Sequence, residues 1–302
     1  MSTSKNLTIF GISSDPDPVF NIFHDESGTY KPGTGDRWLL HGILFVPERI
    51  QSALVRVLFD VRKKQDYFEE VHYVKLRSSI LGPKAQCARG WLNLYVCKFA
   101  EKCFYHCLAI DTHSPAFQHN KFGVPYYAYN YFARVAIVGG IAWSLKKFSK
   151  VTLKFHTDGK SRQMGDNFVT YIPKAVINAV NSKRIKKPSR YPEIRLAHQE
   201  VIPIESDPKL VCVDKKEECE LIQLVDLLTS NISQAMIMSS CQKAKIVLSE
   251  LIAQLIEDVK KPPWLQTKKL HRCFSVSCFP DEKGKYYNPT LAVTNRNQIS
   301  LF

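Results

Sequence analysis

The residues of this chain most able to do chemistry are acids set among apolar neighbours. Asp25 follows the run Val19-Phe20-Asn21-Ile22-Phe23-His24 and opens Asp25-Glu26-Ser27-Gly28, and Asp158 closes Val151-Thr152-Leu153-Lys154-Phe155-His156-Thr157. Glu70 follows the first helical pattern, and Asp226 interrupts Leu224-Val225-Asp226-Leu227-Leu228. Asp111, which closes the apolar stretch 103–110, and Glu26 are weaker candidates of the same kind. An acid in apolar surroundings is costly unless a cation neutralises it, and hard divalent ions such as Mg²⁺ or Mn²⁺ take oxygen ligands. Two such ions roughly 4 Å apart activate water and stabilise the leaving oxygen in phosphodiester cleavage. Each acid also has a plainer reading. Asp25 and Asp158 stand beside turn residues, Glu70 lies among the solvated acids Asp66 and Glu69, and Asp226 needs only a buried Lys or His partner.

These acids work together only if the chain positions them at one place. Period-two alternation predicts strands over 19–24 and 38–46, joined as a hairpin through the Gly- and Pro-rich turn 28–35. Further strands are predicted over 103–110, 151–157, 195–204, 209–213 and 273–279. Helical spacing predicts helices from 47 to the mid-sixties and over 85–99, 126–147, 168–181, 219–238 and 244–259. Strands alternating with helices after an antiparallel hairpin give an α/β fold, a mixed sheet flanked by helices, with a C-terminal helical extension. In such a sheet the ends of parallel strands gather acids at one edge. Neighbouring strand residues point to opposite faces, so Asp25 is the expected ligand and Glu26 its outward neighbour. The expected divisions are an arm over 1–16, a main domain over 17–240, and a helix and tail over 241–302 packed on it.

Composition narrows the class. With 45% hydrophobic and 11% aromatic residues among 302, the chain has material for a substantial core. No apolar run reaches the roughly 20 residues of a membrane span, and the start lacks a secretory signal, so the expected location is the cytoplasm. The nine scattered cysteines read as reduced thiols. Cys103, His106 and Cys107 lack zinc-ligand spacing and read as core residues. The net charge of +14 is concentrated between Lys146 and Arg190. Lys154, Lys160, Arg162, Lys183, Arg184, Lys186 and Lys187 are the candidate contacts to a nucleic-acid backbone, against the alternative of solvated lysine faces.

The opening Asp25-Glu26-Ser27-Gly28, the segment Glu70-Val71-His72-Tyr73 with Leu76, the strand-end Asp158 and the closing Gln223-Leu224-Val225-Asp226-Leu227-Leu228 together resemble the family designated domain of unknown function 3800. That family is grouped with the ribonuclease H-like superfamily. The resemblance spans roughly residues 19–238 and implies a ribonuclease H-like sheet in which Asp25, Glu70, Asp158 and Asp226 bind two metal ions. The chain departs from the family pattern at Val225, where a small residue is usual, and at Ser230 or Asn231, where a Gly is usual. The resulting expectation is a Mg²⁺- or Mn²⁺-dependent nuclease, with Lys75, His24 and His156 placed to orient water or phosphate and a regulatory protein partner conceivable. The alternatives are a non-catalytic nucleic-acid or protein-binding module on the same fold, or action on a phosphate-bearing small molecule such as a nucleotide. No GxxxxGK phosphate loop is present, which argues against an NTPase.

Overall fold

The computed structural model describes residues 17–159, 164–268, 270 and 272–293. The expected arm over 1–16 lies outside the described residues. The frame is a seven-stranded sheet of β1 (Val19–Ser27), β2 (Trp38–Pro47), β3 (Phe104–Asp111), β4 (Lys150–Asp158), β5 (Glu193–Leu196), β6 (Ile202–Ile204) and β7 (Phe274–Phe279). Its order is β5-β4-β1-β2-β3-β7, and β6 shares the outer edge of β4 with β5. β2 is antiparallel to both β1 and β3, whereas β1 with β4, β3 with β7, and β4 with β5 and β6 are parallel. Only β2 therefore runs against the rest, and the carboxyl ends of β1, β3 and β4 lie along one edge. β2 and β3 are buried along almost their whole length, which is why they read as continuous apolar runs.

Among the described residues, six α-helices cover the sheet: α1 (Glu48–Gln65), α2 (Pro83–Leu94), α3 (Pro125–Gly140), α4 (Phe168–Lys186), α5 (Lys216–Ile237) and α6 (Lys243–Lys260). α2 and α3 each run on into a π-helical turn, Tyr95–Phe99 and Ile141–Leu145, which accounts for the longer helices the sequence predicted. α4 extends five residues beyond its predicted end and takes in part of the basic stretch read as a loop. The predicted strand at 209–213 is instead a turn followed by a 3-10 helix at Val213–Lys215. The C-terminal segment does more than add a helix, because β7 pairs with β3 and extends the sheet.

The alternation of β1 decides which helix sees which residue. His24 stacks on Phe168 of α4 and on His41, whose ring meets Tyr129 of α3, so even-numbered β1 residues face α3 and α4. Asn21 donates to Gln51 of α1 at 2.6 Å, so odd-numbered residues, Asp25 among them, face α1 and α5. α5 is buried on nearly every side from Cys219 to Ile232, packed on β1 and β2 and flanked by α1, α2 and α6. A helix so enclosed needs a partner for every polar side chain it carries.

Gly42 sets how closely α5 approaches. It is in register with Asp25, and a Cβ built there would fall on Thr229 Oγ1 and within 2.6 Å of the Tyr105 hydroxyl. That hydroxyl and Thr229 Oγ1 are themselves 3.0 Å apart. Gly42→Ala should therefore cost about 1–3 kcal/mol in chemical denaturation by overpacking. The cost should shrink when the substitution is made in a Thr229→Ala background; equal costs in the two backgrounds would rule out this contact as the cause.

Candidate active site

The pairing of β1 with β4 ends at His24 opposite Thr157, so Asp25 and Asp158 occupy the next step of the same parallel register. In-register neighbours on parallel strands project from the same face. His156, two residues before Asp158, stacks on Phe23 and hydrogen-bonds Asn21, which places both acids on the α1–α5 face. Asp25 is 6% exposed, while Asp158 is partly open to solvent. Alternation turns Glu26 to the opposite face, as the sequence predicted.

Glu70 reaches this edge by another route. Asp158 pairs with Ile204 of β6, and two residues later the Ser206 hydroxyl donates to Glu70 Oε1 at 3.1 Å. The other Glu70 oxygen forms an ion pair with Lys75, whose ammonium pKa is raised by that contact. Asp226 lies one turn before Thr229, the residue that meets Gly42 beside Asp25. Its Oδ2 accepts the Tyr73 amide at 2.9 Å, its Oδ1 accepts the Ser230 hydroxyl at 3.1 Å, and His72 Nδ1 stands 3.8 Å from Oδ2. A carboxylate has about four acceptor sites, so these bonds leave capacity for a further ligand.

Glu220, Gln223, Asp226 and Ser230 recur at three- and four-residue spacing and form one polar stripe on α5. The stripe holds the segment that carries Glu70. Gln223 Oε1 accepts the Val71 amide at 2.7 Å and an Arg62 guanidinium N–H at 2.9 Å, while its amide donates to the Ser206 carbonyl at 2.9 Å. Arg62, 1% exposed, donates to Glu220 at 2.8 Å and to the Glu69 carbonyl at 2.6 Å, and lies over the Trp91 ring. Burial raises the Glu220 pKa and the neighbouring Arg62 opposes that rise. The closing motif thus meets the Glu70-Val71-His72-Tyr73 segment physically: Gln223 and Asp226 pin Val71 and Tyr73. Sequence reading identified Asp226 but missed Arg62 and Glu220, since neither lies in a distinctive run.

Asp25, Glu70, Asp158 and Asp226 therefore share one edge and one face of the sheet. Among the described residues, however, no three His, Cys, Asp or Glu side chains stand together as a ligand set for a metal ion. Like charges at this edge repel, and Glu70 and Asp226 are each turned to nearby donors. The oxygen-only donor set suits a hard divalent ion, and the open side of Asp158 leaves an approach.

The remaining candidates are elsewhere. Asp111, four residues beyond the level of Asp25, is about 13 Å further along its strand. It is clamped by Arg37 at 2.8 Å, a structural pair at the rim. Lys154 faces α1 and pairs with Glu48. Lys183, Arg184, Lys186 and Lys187 occupy the far end of α4, roughly 25 Å from its start near the acid edge, so these four cations do not border the acids. Lys160 and Arg162 lie outside the described residues. No protein-family model, curated protein or solved structure matches this chain.

The buried core imposes a pH dependence. Burial lowers the pKa of His106 from 6.5 to about 4, and burial followed by Lys154, His198 and Lys215 lowers that of His156 to about 3. Both rings are neutral when folded but titrate near 6.5 when unfolded, so their stabilisation is complete above that pH and is lost as pH falls toward the folded values. At pH 5 each should have lost about 2 kcal/mol, read as a fall in the urea midpoint that His106→Gln and His156→Gln each reduce. Separately, Arg62→Met should cost about 3–5 kcal/mol by leaving Glu220 buried and unpaired, and adding Glu220→Leu should recover much of it; no recovery in denaturation midpoints would contradict the pairing.

Proposed function

We propose that this chain is a divalent-metal-dependent nuclease of the ribonuclease H-like kind, hydrolysing phosphodiester bonds at the edge that carries Asp25 and Asp158. The observation that carries the reading is the in-register placement of those two acids beneath the helix that brings Asp226. The core order β3-β2-β1-β4-β5, with β2 alone reversed, supports the fold. Glu70, tethered to the same edge through Ser206, supports a fourth ligand position.

In this reading Asp25, Asp158, Asp226 and Glu70 hold Mg²⁺ or Mn²⁺, which when bound lowers the pKa of water and offsets charge on the phosphate. Asp25 and Asp158, fixed by the sheet, supply the rigid half of the site. Asp226 is oriented by the Tyr73 amide and Ser230. Glu70 would hold the ion in place of Lys75, whose ammonium would then be free to take a phosphate oxygen. His72, beside Asp226 and one-third exposed, would be the proton donor to the leaving oxygen.

The test is cleavage of labelled DNA and RNA in Mg²⁺ or Mn²⁺ against EDTA. Metal-dependent cleavage should fall by ~100-fold or more, about 3 kcal/mol of transition-state stabilisation, in Asp25→Asn and Asp226→Asn. Binding without metal-dependent cleavage on any of these substrates would instead support the non-catalytic module.

A further inference from the structure

The β7 end of the sheet carries an open cleft of about 630 Å³ between α3 and the end of α6, within the range of small-molecule sites. It exists because β7 extends the sheet beyond the cover of α3. Its floor is His106, Leu108, Ser275 and Ser277, residues of β3 and β7 that share one face. Trp143 and Gly139 form one wall, Lys183 and Arg190 the end, and the segment from Lys260 to Pro263 with Tyr286 the other wall.

Three features define what this cleft would take. Its lining is cationic, and among the described residues no Asp or Glu lines it. Lys260 and Lys261 are paired with Glu257 and Asp258, whereas burial lowers the pKa of Lys183 and the nearby Arg134 and Arg190 lower it further. Crowded cations of this kind favour an anion. The second feature is aromatic surface: Trp143 is 38% and Tyr286 59% exposed at the mouth. The third is a polar floor, where His106 Nδ1 lies 2.7 Å from the Ser275 hydroxyl and the ring is neutral at pH 7, able to donate and accept.

We propose that this cleft binds a nucleoside phosphate, the planar base against Trp143 and Tyr286 and the phosphate on Lys183 and Arg190. Inorganic phosphate alone would leave the rings unused, and an apolar ligand would leave the cations uncompensated. The volume suits one nucleotide rather than a strand, which needs a groove several nucleotides long. The site lies at the β7 end of the sheet, two or more strands away from Asp25 and Asp158, and is independent of the nuclease reading.

Isothermal titration of the full chain with adenosine 5′-monophosphate, adenosine, inorganic phosphate and a short oligothymidylate tests it. The monophosphate should bind, and inorganic phosphate should compete with it at higher concentration. Arg190→Gln should weaken the monophosphate by roughly ten-fold or more, as loss of a charge-assisted contact does. Trp143→Leu should also weaken it, while both variants keep the wild-type melting temperature. Asp25→Asn should bind as the wild type does, which separates this result from the fate of the nuclease reading. Absence of binding at millimolar monophosphate, binding unchanged in both variants, or binding of the oligonucleotide alone would overturn the proposal.

Discussion

The rest of the structure depends on the close packing of α5 against the middle of the sheet. Gly42 permits it, because any side chain there would occupy the space of Thr229 Oγ1. Through that contact one helix is held over the junction of β1 and β2 and is enclosed by α1, α2 and α6. An enclosed helix cannot carry polar groups without partners, so its polar stripe dictates what packs beside it. Arg62, the Val71 amide and the Tyr73 amide are the partners supplied. The same stripe therefore fixes the helix, the loop that carries Glu70 and the orientation of Asp226.

Burial and charge divide the two faces of the sheet. On the α5 face, acids collect at the carboxyl edge, where parallel strands end together and solvent begins. Away from that edge, His106 on one face and His156 on the other are held neutral by burial, and Arg62 is paired with Glu220. At the β7 end of the sheet, Lys183 at the end of α4 and Lys260 and Lys261 at the end of α6 line the cleft. Lys183, Arg184, Lys186 and Lys187 are set apart from the acids by the length of α4, whereas Lys75 and Lys154 stand on the acid side, paired with Glu70 and Glu48.

Much of this was legible along the chain, and the exceptions have physical causes. The hairpin, the strands ending at Asp111 and Asp158, and helices α5 and α6 follow from local periodicity that tertiary contacts reinforce. The stretch 209–213 has strand-like composition, but it forms a turn and a 3-10 helix that leads into α5 instead. The short β7 was visible as an apolar piece, yet its place beside β3 depends on pairing across more than 160 residues. The basic stretch from Lys146 to Arg190 looked like one patch because sequence records proximity along the chain and not direction in space. A strand and a helix, running opposite ways on different sides, distribute it to separate surfaces.

By itself the sequence determined the α/β class, the acids worth attention and the choice of Asp25 over Glu26, because alternation and apolar context are local properties of the chain. Only the tertiary structure decided that Asp25 and Asp158 are neighbours, that Asp111 belongs to Arg37, and that Gln223 and Asp226 grip the segment behind Glu70. Those outcomes rest on strand register and on the depth at which α5 seats over Gly42. Both are fixed by contacts between residues far apart in sequence, which no local pattern encodes.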